Sequence, residues 1–193
     1  MKPQVVFWAV GGAEAAVIVS MMMSTSPSHV ATYATTVLSI LTKDSDHAQN
    51  IRLTPLSVVG LALVSLGALL RRRCYQEMGP LFTGAVAIRK NHKLITSGPY
   101  GVVRHPSYSG ILVVFPGMVC WFCSRGSWLR ESGVLEFTAG FVFFYAFGLY
   151  LSIGIMAGIS RMGREDEELR RVFGQEWDAW ARRVPYRIVP GLY

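Results

Sequence analysis

Charge is scarce in this chain: 16% of its 193 residues are Asp, Glu, Lys or Arg, against 51% apolar residues. A soluble domain carries about a quarter charged residues, so the shortage, with a positive mean hydropathy, points to a membrane protein. Cysteine is scarce too. Cys74, Cys120 and Cys123 form an odd set without the density of a secreted scaffold, so no disulfide framework is implied. Cys120 and Cys123 make a C-x-x-C, but it lies in an apolar run with no second pair and no flanking histidine. We read both as packed core cysteines and expect no metal site. Also missing is a G-x-G-x-x-G after a strand pattern; Gly11 and Gly12 fall in an apolar run, so a Rossmann nucleotide site is not expected.

What charge there is has a sign and a pattern. The net charge is +7, yet the basic residues gather at the ends of hydrophobic runs instead of alternating with aromatics, which speaks for membrane topology and against a nucleic-acid partner. A hydrocarbon layer of about 30 Å needs about 20 apolar helical residues. Four runs approach that length: Val5 to Met23, interrupted by the single charge of Glu14; Thr54 to Leu70, ending at Arg71, Arg72 and Arg73; Ser107 to Phe122; and Val134 to Ile159. The first is long for a signal peptide and lacks an A-x-A site, so a retained anchor is expected. A fifth run, Val30 to Leu41, is short and Thr-rich, a candidate re-entrant or interfacial segment.

Four spans with a cytoplasmic amino terminus put Lys2, the basic loop from about Arg71 to Pro106 and everything from Arg161 onward on one side. The other side keeps Lys43, Arg52, Arg125 and Arg130. The positive-inside bias then makes both termini cytoplasmic. The expected fold is an all-α integral membrane bundle of about four to five transmembrane helices with a cytoplasmic amphipathic C-terminal helix. We expect one domain over residues 1–193, with amino-terminal spans in 1–73 and a catalytic core in 74–193. Gly110, Gly117, Gly154 and Gly158 are read as points of close helix approach.

This topology collects the polar signals on one face. "NHKLITSGPYGVVRHPSYSG" precedes the third span and "SRMGREDEELRRVFGQEWDAWARRVPYRIVPGLY" follows the fourth; because those spans form a hairpin, the two flanks should meet. Gly98 and Pro99 mark a turn, and Pro106 suits the first turn of the helix that continues as span three. Amides near Ser107 and Tyr108 then offer hydrogen-bond donors and a partial positive charge to a carboxylate. With His92, Tyr100, Arg104, His105 and Tyr108 at one mouth, a polar ligand pocket is expected, although Arg104 is hard to tell from an interfacial anchor.

The second flank reads as an amphipathic helix from about Ser160 to Arg183. Arg161 and Glu165 share a face at its membrane end; beyond an ordinary ion pair, they offer a cation for an anionic group and a carboxylate for a cationic or hydroxyl-bearing one. Leu169, Val172, Phe173, Trp177 and Trp180 form an apolar stripe suited to the bilayer surface or to covering the pocket. Asp166, Glu167 and Glu168 read as a solvated face without a role.

"HKLITSGPYGVVRHPSYSG", an apolar hairpin, then "RMGREDEELRRVFGQEWDAWARRVPYRIVPGLY" together resemble the isoprenylcysteine carboxyl methyltransferase family over roughly the C-terminal 110 residues. The RHP-S-Y-x-G element, R-x-x-x-E and FG-x-E-W-x-x-W-x-x-R-V-P occur in the family's order. The resemblance implies an integral enzyme of the endoplasmic reticulum membrane that uses S-adenosylmethionine to methylate the C-terminal carboxylate of a farnesylated or geranylgeranylated cysteine. It further implies that His92, Lys93, Leu94, Ile95, Tyr100, His105, Pro106, Ser107, Tyr108 and Glu165 hold the methyl donor, that Arg161 binds the substrate carboxylate, and that Arg161 and Glu165 form the catalytic pair. A glutamine found in some members about seven residues before the first histidine is Ala85 here, so that contact is not carried over. A phospholipid amino-methyltransferase, a sterol reductase-like protein and a non-enzymatic membrane scaffold are the alternatives.

Overall fold

The computed structural model describes residues 3–24, 29–79 and 93–192; His92 and Ala85 lie outside them. The described residues form helices and no strand: α1 (Pro3–Ser24), α2 (His29–Leu41), α3 (Ser45–Asn50), α4 (Pro55–Met78), a 3-10 turn at Gly98–Gly101, α5 (Pro106–Cys123), α6 (Trp128–Glu131), a second 3-10 turn at Val134–Glu136, α7 (Thr138–Phe173) and α8 (Gln175–Arg183). In lipid every backbone amide must find its partner within the chain, and helices do this segment by segment. The expected all-α architecture is therefore the one found.

Three helical stretches are long and apolar enough to cross a bilayer: Pro55–Met78, Pro106–Glu131 and Thr138–Phe173. The first run forms the 22-residue α1. The fifth run is the 13-residue α2, too short to span and packed through Leu38 and Leu41 near Val17. Helix α4 starts with a reciprocal cap: Thr54 N–H donates to Ser57 Oγ at 2.8 Å and Ser57 N–H to Thr54 Oγ1 at 3.2 Å, with Pro55 in the first turn. At a rise of about 1.5 Å per residue, the 36 residues of α7 run on the order of 54 Å, well beyond a hydrocarbon layer of about 30 Å. The end of α7, from Ser160 on, is polar and carries Arg161 and its neighbours. Along its apolar length Phe141, Tyr145, Leu149, Tyr150, Ile153 and Met156 are exposed, as suits a helix whose solvent is lipid.

The chain divides into two compact units, residues 1–62 with 117–151 and residues 63–116 with 152–193. In the first, Val6, Val10 and Leu129 form one apolar cluster and Val17, Ala48 and Ile51 another. Glu14, the lone charge of α1, is buried and accepts the N–H of Trp128 at 3.2 Å. In the second unit, Cys74, Tyr100, Trp177, Trp180 and Val184 form the core.

Helix contacts revise the reading of the small residues. A Cβ on Gly67 would lie 2.6 Å from Gly110 O, and one on Gly110 2.6 Å from Arg71 Cγ; a Cβ on Gly60 would lie 2.7 Å from Gly117 O. Gly110 and Gly117 therefore do mark close approach, against α4 glycines that the sequence reading passed over. A Cβ on Gly158 would lie 3.0 Å from the Tyr108 ring, whereas one on Gly154 would meet nothing within 4 Å, so Gly154 is not a packing glycine. Cys123 is exposed and Cys120 half-buried: Cys123 ends α5, where packing stops, so the packed-core expectation fails for it.

A small polar cluster ties α3 to the second 3-10 turn. His47 Nδ1 lies 2.6 Å from Asp44 Oδ1, His47 Nε2 lies 3.2 Å from Glu136 Oε1, and Lys43 pairs with Glu136. The hydrogen bond to Asp44 first, then that to Glu136, raises the His47 pKa above its ordinary value, while bonds from His47 lower that of Asp44.

Two outcomes are expected. Gly67→Ala should lower stability in detergent micelles by about 1–3 kcal/mol, as overpacking does, while Gly154→Ala stays within about 0.5 kcal/mol of wild type; equal melting temperatures for the two variants contradict the packing account. Because the His47 pKa is raised on folding, its contribution is complete below about pH 6.5 and is lost as pH rises through the higher folded value. The melting-temperature gap between wild type and His47→Gln should accordingly be larger at pH 6 than at pH 9, and a gap independent of pH refutes the bridge.

Candidate active site

The second unit brings the two polar flanks together, as the hairpin argument requires. The 3-10 turn Gly98–Gly101 begins at Gly98 with φ +57°, where a side chain would also collide with Glu77 at 2.8 Å. Pro106 opens α5, and its fixed φ suits that position. His105, just before it, is buried with 7% exposure. From α7, Arg161, Glu165 and Asp166 face this corner.

Glu165 is the centre of the arrangement. Its Oε1 accepts the Tyr108 hydroxyl at 3.0 Å and lies 2.9 Å from Arg161 Nε; its Oε2 lies 3.6 Å from His105 Nδ1. Arg161 and Glu165, expected to act on separate ligand groups, are here bonded to each other. Arg161 remains 35% exposed, so its outer nitrogens can reach an anion. The Tyr108 amide is less available than expected: it donates to His105 O at 3.0 Å, because the first turn of α5 closes on itself. Arg71 donates to the carbonyl and hydroxyl oxygens of Ser107, at 3.1 and 3.2 Å.

The other expected residues divide by environment. Lys93 is exposed. Leu94 and Ile95 pack against the core cluster of Tyr100, Trp177 and Trp180, so what they can offer a ligand is main chain. Tyr100 is buried and its carbonyl accepts Trp180 Nε1–H at 3.1 Å; burial above all, then Cys74, Tyr75 and Glu165, pushes its hydroxyl well above the usual phenol range. It is a neutral group at any physiological pH.

Four readings change. The single amphipathic helix from Ser160 to Arg183 is two helices, broken at Gly174, where φ +50° and ψ −117° lie in a region open to glycine. Trp177 and Trp180, with 9% and 3% exposure, belong to the core and not to a bilayer-facing stripe, and Val172 is exposed off that stripe. Arg104 is no interfacial anchor: its guanidinium lies 3.7 Å from Asp166 Oδ2 and sits over the Trp177 ring at 5.7 Å. Asp166, read as solvated, is 5% exposed. Its Oδ1 meets His105 Nε2 at 3.0 Å, and its Oδ2 lies 3.3 Å from Arg187 Nε. A buried carboxylate needs such compensation. The sequence did hold a signal: Met162, Asp166, Leu169 and Phe173 recur at helical spacing, which places Asp166 on the inward stripe. Arg187 had none.

Main-chain bonds complete the corner. Arg104 N–H donates to Tyr186 O at 2.9 Å, His105 N–H to Arg187 O at 2.8 Å, and Ser109 Oγ–H to Ile188 O at 2.6 Å. They hold the segment 186–188 along the start of α5. Among the described residues no group of His, Cys, Asp and Glu is placed to hold a metal ion.

Comparison with known proteins agrees with the motif reading. Residues 58–129 match the profile of the isoprenylcysteine carboxyl methyltransferase (ICMT) family. The chain is 31% identical over 132 residues, 67% of its length, to "Protein-S-isoprenylcysteine O-methyltransferase B" of Arabidopsis thaliana, and covers 57% of that protein. It is 31% identical over 130 residues, 66% of its length, to a "Probable protein-S-isoprenylcysteine O-methyltransferase" of Oryza sativa subsp. indica, covering 58% of it. A third relative, "Probable 7-dehydrocholesterol reductase" of Acanthamoeba polyphaga mimivirus, is 29% identical over 109 residues, 56% of this chain and 20% of that protein. The chain thus resembles the isoprenylcysteine carboxyl methyltransferase family and spans under three fifths of the methyltransferases it matches. The family match begins at Val58, inside α4, so the resemblance reaches further toward the amino terminus than the motifs indicated.

Gly174→Ala should destabilise the second unit by about 1–3 kcal/mol, the cost of holding a side-chain-bearing residue in that backbone region. Thermal melting followed by tryptophan fluorescence measures it, and an unchanged transition counts against the break at Gly174 as the device that seats Trp177 and Trp180.

Proposed function

We propose that the chain is an S-adenosylmethionine-dependent methyltransferase that esterifies the C-terminal carboxylate of a farnesylated or geranylgeranylated cysteine. The observation that carries this reading is the meeting of Arg161, Glu165, Tyr108 and His105 where α7 leaves its apolar length. A lipidated carboxylate needs an apolar phase for its tail and a cation for its head, and this corner offers both. The similarity to methyltransferases named for prenylcysteine supports the substrate class.

The group set suits the methyl donor. Glu165 is a largely buried carboxylate fit to face the positive sulfonium or amino group, Tyr100 and Tyr108 supply aromatic faces, and the main chain of Lys93 to Ile95 offers polar contacts beside apolar side chains. When bound, S-adenosylmethionine supplies an electrophilic methyl group. A prenylcysteine carboxylate, with a pKa of about 3.5, is already ionised at neutral pH, so no residue need serve as a general base. The work left to the protein is alignment and exclusion of water: Arg161 orients the carboxylate, Glu165 fixes the cationic group, and the buried Tyr100 with the half-buried Tyr108 limits water at the corner. An amine nucleophile would first have to lose a proton and would have less use for Arg161, which disfavours a phospholipid amino-methyltransferase. A sterol reductase-like activity, for which the similarity to the reductases speaks, would require a nicotinamide.

Arg71 to Arg104 and the segment from Arg161 onward carry most of the basic residues. By the positive-inside rule this bias supports a cytoplasmic face for the site and both termini, and the resemblance supports the endoplasmic reticulum as the membrane.

Purified protein should transfer labelled methyl from S-adenosylmethionine to N-acetyl farnesylcysteine as a base-labile ester. Label found only in phosphatidylethanolamine derivatives, or nicotinamide-dependent sterol reduction in its place, overturns the assignment. Arg161→Ala should lower kcat/KM for the prenylcysteine about 10–100-fold, the loss of a charge-assisted pair, with methyl-donor affinity little changed. Glu165→Ala should weaken methyl-donor binding by about tenfold or more, measured calorimetrically; unchanged affinity removes Glu165 from the cofactor site.

A further inference from the structure

We infer that Asp166 is a positioning residue, a buried clamp that fixes the His105 imidazole and ties segment 186–188 to the start of α5. The inference rests on the reading of the Glu165 corner as the methyl-donor site and adds to it a residue that touches neither substrate nor cofactor. Asp166 is 5% exposed, and burying a carboxylate there costs free energy that only well-placed partners offset. Its partners come from three segments: His105 at the head of α5, Arg104 beside it, and Arg187 in the chain after α8. The same residues are joined through their main chains, since Arg104 N–H and His105 N–H donate to Tyr186 O and Arg187 O. Side-chain and main-chain contacts therefore converge on one point.

The chemical consequence falls on His105. An ionised carboxylate only accepts hydrogen bonds, so the 3.0 Å contact between Asp166 Oδ1 and His105 Nε2 requires the proton on Nε2. Nδ1 is thereby turned to Glu165 Oε2, 3.6 Å away, and the His105 and Tyr108 rings hold their edge-to-face arrangement at 5.9 Å. Two arginines and a histidine gather on Asp166, while Glu165 keeps Arg161 and Tyr108. The adjacent acids thus divide their labour: Asp166 looks inward and fixes the wall, and Glu165 looks toward the ligand.

The test uses the full chain in detergent micelles or nanodiscs, with imidazole nitrogen NMR, chymotryptic cleavage after Tyr186 read by mass, and calorimetric binding of S-adenosylhomocysteine. The chain has four histidines, so the His105 signal is assignable by its loss in His105→Gln. Wild type should show an Nε2-protonated His105 and slow cleavage. Asp166→Asn should scramble the imidazole signature, speed cleavage about tenfold and weaken S-adenosylhomocysteine binding about tenfold, with helix content unchanged, and Asp166→Glu should recover part of each. Arg187→Ala, which leaves the His105 contact intact, should speed cleavage while preserving the Nε2 proton, and it serves as the test if Asp166→Asn does not fold. An Asp166→Asn protein with wild-type imidazole signature and cleavage overturns the clamp, as does one that loses both yet binds S-adenosylhomocysteine like wild type. Failure of wild type itself to bind S-adenosylhomocysteine overturns the methyl-donor reading instead, and the imidazole and cleavage readouts then decide the clamp.

Discussion

An ionised carboxylate withdrawn from water must be surrounded by hydrogen-bond donors and positive charge or it will not stay buried, and in the second unit this constraint organises everything around Asp166. Arg104, His105 and Arg187 are drawn to it from separate segments. Once they are in place, the main chain from Tyr186 to Ile188 has its register along the head of α5. Arg104 also lies over Trp177, which connects the charged corner to the aromatic core of Tyr100, Trp177 and Trp180. The charged corner and the aromatic core thus meet at Trp177.

The corner stands on a helix that outlasts its own apolar run. Helix α7 does not stop where its apolar residues do; it continues for more than two further turns of polar sequence, so that Arg161, Glu165 and Asp166 project from the element that sits in lipid. A site on such a helix joins a polar corner to an apolar run without a loop between them. That suits a substrate whose reactive carboxylate and prenyl tail belong to different solvents, as the proposed methyl transfer requires. Small residues serve the same end: with Gly67 opposite Gly110, α4 comes close enough for Arg71 to reach Ser107 in the first turn of α5.

The legible parts of this protein were those written in a single stretch. Long apolar runs announced the helices, Pro106 announced the start of α5, and the family's motif order announced the corner where Tyr108 and Glu165 meet. Misread were features that depend on partners distant in sequence. Asp166 sits in an acidic run that looks solvated, and only the helical recurrence with Met162, Leu169 and Phe173 hinted that it points inward. The close approach at Gly110 and Gly117 was visible, but their opposite numbers Gly60 and Gly67 looked like ordinary residues of an apolar helix. Gly154 carried the same sequence signal as Gly158 and packs against nothing, because helical spacing names a face without naming what covers it.

By itself, then, the sequence determined an all-helical membrane protein and which residues could carry chemistry, since hydropathy, prolines and motif spacing act locally through backbone hydrogen bonding and transfer free energy. Tertiary structure alone decided the division between the adjacent acids: Glu165 open to a ligand, Asp166 closed in by two arginines and a histidine. Neighbours one residue apart on a helix face directions about 100° apart. What each direction meets is set by segments some sixty and twenty residues away, and no local pattern encodes that meeting.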